Sequence, residues 1–171
     1  MRTAGVLAAL GLALLGQTTL AGVSMAGGTR VNLVLVAVIY VALAFGAVTG
    51  LLAGTAGGLA QDALAGGIVG VGGLSKTVVG FMVGVLGAQF IVSQPLPRFV
   101  MFVGATFAHE MIFQALYSLV ESRAFTMHYS ATLIQAVVNG GVGIAAFLLV
   151  EQGPDLLQRR QSRAAFSRRR Y

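Results

Sequence analysis

The chain has 171 residues, 57% of them hydrophobic and 9% charged, against about 25% charged in an ordinary soluble domain. So few charges cannot coat a water-facing surface, and at roughly 20 apolar residues per crossing the length holds five or six membrane helices and no separate soluble domain. Cysteine is absent, which excludes disulfides, thiolate metal sites and cysteine nucleophiles; the net charge of +6 misleads as an average, because six of the eleven basic residues lie between Arg159 and Arg170.

In chain order, a first helix is expected at residues 4–25, apolar apart from Gln17, Thr18, Thr19 and Ser24. Arg2 ahead of this stretch, and the small residues of 21–28 after it, also fit a cleaved signal peptide, although the apolar run is long for a signal core. Gly27-Gly28-Thr29-Arg30 ends the helix. Between Val31 and Pro97 only Asp62 and Lys76 are charged. That stretch divides into helices at 31–45, 47–64 and 71–92. The first two are joined so closely at Gly46 that they form either two short crossings or one broken hairpin. Ala65-Gly66-Gly67 turns the chain before the fourth helix. Ser93-Gln94-Pro95-Leu96-Pro97 reads as a breaker, since proline lacks the amide donor and restricts the residue before it. A fifth helix is expected at 98–120, a short polar segment at 121–129 and a sixth helix at 130–150. Gly153-Pro154 closes a transmembrane domain of residues 1–152, leaving a basic tail at 153–171.

Six crossings place both termini on one face. Arg2, Arg98 and the six tail arginines share it, against Arg30 and Arg123 opposite. By the positive-inside rule the eight-residue face is cytoplasmic. Five crossings would part Arg2 from the tail, so the charge asymmetry favours six. The tail itself suits a topology signal and contact with anionic lipid; its limited aromatic interleaving, Phe166 and Tyr171, does not favour nucleic acid.

Gly46, Gly50, Gly54, Gly58 and Asp62 recur every fourth residue and fall along one helix face. Gly80 and Gly84 repeat the spacing in the next helix. Such grooves let another backbone approach closely, either within the bundle or from a partner protein. Asp62 closes the groove. A carboxylate in so apolar a chain needs a partner or an interfacial position, and Lys76, at the same end of the following helix, is the expected one. A structural pin between the two helices is the simpler account, a proton or ion relay the sharper.

The fifth helix carries a polar stripe of Thr106, Glu110, Gln114, Tyr117 and Glu121, with His109 beside it. The sixth offers Thr132, Gln135 and Asn139. The two faces are expected to interlock by interhelical hydrogen bonds of about 0.6 to 2 kcal/mol each. The alternative is a polar cavity for a small ligand, drawn from His109, Glu110, Gln114, Tyr117 and Asn139. Enzyme chemistry is not expected. His109, Glu110 and His128 lack metal-ligand spacing, and no nucleophile elbow or phosphate loop is present. No cofactor or metal is called for.

The residues from Arg30 to Gly84 resemble the rod shape-determining protein MreD family. The likeness rests on Arg30-Val31-Asn32 opening an apolar helix with Tyr40, on Gly54 and Gly58-Leu59-Ala60-Gln61-Asp62 followed by Gly66 and Gly70, and on Leu74-Ser75, Thr77 and Gly80-Phe81. Asn139-Gly140-Gly141 extends the pattern. The resemblance implies an all-α, polytopic protein of six transmembrane helices, similar to the substrate-binding subunits of energy-coupling-factor transporters, in the bacterial inner membrane. It further implies a non-catalytic scaffold of the cell-elongation machinery, whose partners are an MreC-like shape protein and the glycosyltransferase and transpeptidase of peptidoglycan synthesis. Lys76, the abundance of glycine and the arginine tail depart from the family pattern. Two rival readings stand beside it: the small-molecule-binding subunit of a vitamin-type transporter, and a proton-coupled carrier, which requires a second carboxylate near Asp62.

Overall fold

The computed structural model describes residues 2–19, 31–90, 94–122, 124–125 and 127–152. The expected cleavage segment at 21–28, the turn at 27–30 and the basic tail at 153–171 lie outside the described residues. Among those described, six α-helices follow in order: α1 (Arg2–Thr19), α2 (Leu33–Phe45), α3 (Ala47–Ala65), α4 (Val71–Gln89), α5 (Pro95–Glu121) and α6 (Tyr129–Phe147). A π-helical turn, Leu148–Gln152, extends α6. Three helices are long and apolar enough to cross a membrane: α4, α5, and α6 continued to Val150.

Residues 95–97 of the expected breaker belong to α5, with Gln94 as its N-cap. Pro95 opens the helix and Pro97 lies in its first turn, where the amide that proline lacks would have no helical acceptor anyway. The helix therefore starts three residues before the expected Arg98. At the other end of the preceding helix, α4 stops at Gln89, with the Phe90 amide still bonding the Leu86 carbonyl.

The α2 helix forms the centre. It is apolar all round apart from Tyr40, and seven of its thirteen residues are buried, as expected of a helix with no polar face. Leu35, Val36, Ile39 and Ala42 meet Val79 and Val83 of α4 and Phe102 and Ala105 of α5. On its other side Val38 and Val41 meet Leu10 of α1 and Ala53 of α3. The outer surface is equally apolar. Val48, Leu52, Phe81, Met82, Val100, Leu119, Leu133 and Val137 are all exposed, far beyond the apolar patch a soluble monomer tolerates. Hydrocarbon is the solvent this surface fits.

Neighbouring helices run antiparallel. Positions at similar distances before and after Gly46 face each other across α2 and α3, Ala42 with Gly50 and Val34 with Gly57. The α3–α4 hairpin pairs Gly50 with Gly80, and Gly58 with Gly72 and Gly73. In the α5–α6 hairpin Phe99 and Phe102 cover Gly140 and Gly143, and the Arg98 guanidinium lies 3.7 Å over the Phe147 ring.

Candidate functional site

The glycine face of α3 is filled by α4. A Cβ on Gly54 would sit 2.6 Å from the Lys76 carbonyl carbon and 2.8 Å from the Thr77 nitrogen, and one on Gly58 would sit 2.6 Å from the Gly73 Cα. Gly50 and Gly80 press on each other's carbonyls, and Gly84 presses on Ala47. Two backbones approach this closely only where the residue facing its neighbour carries no side chain. A hydroxyl contact, Thr55 Oγ1 to Thr77 Oγ1 at 2.8 Å, fixes the register. The face is thus closed to any partner's helix. Gly46, expected in the same groove, is the turn between α2 and α3, with φ +89°; a Cβ there would meet nothing, while its carbonyl carbon lies against Gly84.

Asp62 is 9% exposed, and its hydrogen bonds go to the backbone of α4. Its Oδ2 accepts the amides of Gly70, at 2.9 Å, and Gly73, at 3.0 Å. These are N-terminal donors of α4, which no earlier turn of the helix can satisfy. The first residue there is a glycine without a capping side chain, so a carboxylate from α3 caps α4 across the turn. The negative charge also suits the positive end of the helix dipole. Lys76 makes no contact ion pair with Asp62: its Nζ reaches the Gly72 carbonyl at 3.5 Å, and the carboxylate acts on it electrostatically from beyond contact distance. Asp62 does join the two helices, through backbone amides and not through an ion pair.

A second joint gathers at the start of α2. Asn32 caps its own helix, its Oδ1 accepting the Leu35 amide at 3.1 Å. Gln17 of α1 accepts the Leu33 amide at 2.7 Å and donates to the Val31 carbonyl at 3.0 Å. Asn139 of α6, fully buried, accepts the Asn32 amide at 3.1 Å. Three side-chain amides therefore hold α1, α2 and α6 together. Asn32 is legible as a polar residue before an apolar run; Gln17 and Asn139 are legible as polar residues of their helices, but their bonds to α2 are not, because those partners are distant in sequence.

The polar stripes of α5 and α6 meet at two points. Gln135 Nε2 donates to Glu110 Oε1 at 3.0 Å, and Asn139 Nδ2 approaches Thr106 Oγ1 at 3.5 Å. His109 is buried, its ring 5.9 Å from that of Phe113, which in turn stacks on Tyr117. Gln114 and Tyr117 lie one and two turns further along α5 and are half-buried. The five residues named as a cavity thus share a stripe, but Glu110 and Asn139 are engaged in helix-to-helix bonds. Among the described residues no three histidine, aspartate or glutamate side chains are grouped to hold a metal. Because Asn139 serves two neighbours, Asn139→Ala should lower stability by about 2 kcal/mol, leaving the Asn32 amide without its acceptor. Thermal unfolding in detergent would register the loss, and an unchanged melting temperature would refute the joint.

No curated protein and no solved structure gives a significant match. The family profile described as rod shape-determining protein MreD matches residues 5–152, all six helices and the π-helical turn, and ends where the basic tail begins. It spans the capped α2 entry, the glycine interface and the Asp62 cap together. A rod shape-determining membrane protein accounts for a bundle whose polar residues are spent on joining helices, and the chain belongs to the MreD family.

Proposed function

We propose that this protein is a non-catalytic scaffold of the bacterial cell-elongation machinery. Its six helices cross the inner membrane in a fold like that of the substrate-binding subunits of energy-coupling-factor transporters, with both termini and the arginine tail cytoplasmic. It holds an MreC-like shape protein beside the glycosyltransferase and transpeptidase that extend peptidoglycan. The observation that carries this reading is the family match along residues 5–152. The geometry supports it from a second direction: Asp62, Asn139, Glu110 and Gln135 bond to neighbouring helices, which suits a rigid platform better than a reaction centre. Since the glycine face is filled, a partner's helix meets the lipid-facing sides of the bundle.

One tagged copy tests the proposal. Carried as the sole copy in its own bacterium, with a fluorescent protein that matures only in the cytoplasm fused after Tyr171, it should be fluorescent, maintain rod shape and bring down an MreC-like protein from native membranes. Depletion should round the cells. Rods that persist after depletion, or a solute-uptake defect with normal shape, would overturn the scaffold reading.

A further inference from the structure

The joints described so far satisfy their polar groups, but the seam between α4 and α5 does not. Val79 and Val83 of α4 pack on Phe102 and Ala105 of α5 as an apolar contact. One turn away, towards the start of α4, the same faces carry Lys76 and His109, each 2% exposed. The Lys76 ammonium has three donors, and among the described residues it finds one acceptor, the Gly72 carbonyl at 3.5 Å. His109 Nδ1 is buried with no hydrogen-bond partner. Asp62 from α3 and Glu110 from α5 act on Lys76 electrostatically. Neither forms a contact pair with it: Asp62 is taken up by the α4 amides and Glu110 by Gln135.

Buried polar groups left this way penalise the closed arrangement, because each gave up more water than the protein replaced. Lys76 is also placed to escape. It is the sixth residue of α4, about 8 Å from the helix start at 1.5 Å per residue. Its side chain already runs back to Gly72, towards that end, and a lysine so near a helix terminus ordinarily carries its charge to the interface. We propose that the α4–α5 seam is a two-state joint. The closed state is the one described here, and in the open state α5 parts from α4 on the Lys76 side, so that Lys76 and His109 gain water. The α3–α4 hairpin is locked by its glycines and α6 is tied to α2 through Asn139, so the opening is a local displacement of α5 away from α4. This goes beyond the scaffold reading and does not depend on it.

The native chain has no cysteine, which makes the test direct. Ala105→Cys places one thiol in the seam, where the closed state shields it. In membranes it should react with a water-soluble maleimide, and adding Lys76→Met should slow that reaction at least tenfold, since methionine fills the same space without the ammonium. Lys76→Met alone should raise the melting temperature in detergent by about 4 °C, the shift expected when a buried, poorly satisfied charge is replaced by an apolar chain. If Ala105→Cys does not accumulate, amide hydrogen exchange over residues 102–109, faster in the native chain than in Lys76→Met, reads the same opening. Equal thiol reactivity or equal exchange in the two backgrounds, or a lower melting temperature for Lys76→Met, would overturn the proposal.

Discussion

Replacing Gly54 with leucine should prevent α3 from packing on α4. The added carbon atoms would fall on the Lys76 and Thr77 backbone, which cannot swing aside as a side chain would. Overpacking of a tight interface destabilises by about 3 kcal/mol, and here the obstacle is main chain on both sides. We expect Gly54→Leu to lose most of its accumulation in membranes and to aggregate on detergent extraction. Gly104→Leu is the control. It changes the same residue type on α5, where a Cβ meets nothing within 4 Å, and it should extract and melt as the native chain does. If the two variants behave alike, the glycine interface does not hold the bundle.

The second large effect belongs to Asp62. Asp62→Ala removes the acceptor of both the Gly70 and Gly73 amides, one of them fully buried, and should cost about 2 to 3 kcal/mol. Asp62→Asn keeps one carbonyl oxygen in place and should recover roughly half of that. The comparison with Lys76 is decisive. Were the two an ion pair, neutralising either would destabilise, and the double variant would cost little more than one change. The cap predicts that Asp62→Asn destabilises while Lys76→Met does not. Melting curves of the two variants side by side distinguish these outcomes.

The order of the six helices could be read from the sequence because each signal was local. Gly46 and Gly66 interrupt otherwise continuous apolar runs, and Asn32 stands at the head of one. The start of α5 was misjudged for the opposite reason. Pro95 and Pro97 were treated as punctuation between helices, although the first turn is the one place in a helix that tolerates them. The hydrogen bonds of Asp62 are not legible in the sequence: charge suggests pairing with charge, while the donors are backbone amides that leave no letter there. Their trace was Gly70 with Gly72-Gly73, too bare of side chains to cap their own helix. The link from Gln17 to α2 spans 16 residues and that from Asn139 spans 107. Spacing along a helix reveals which residues share a face, but not which distant helix that face will meet.

The turn at Gly46 has a consequence for the lipid around it. A helix of 13 residues such as α2 is about 20 Å long, whereas the oily interior of a bilayer measures about 30 Å. The Gly46 amide bonds the Ala42 carbonyl and the Gly46 carbonyl receives the Gly50 amide, but no side chain caps the first turn of α3, and bare peptide groups are not tolerated in hydrocarbon. Those first-turn amides call for water or headgroups, so the reversal belongs at the polar boundary of the bilayer. Beside it the leaflet has to thin, drawing polar lipid down to meet a protein that is shorter on this flank than its longer helices are elsewhere.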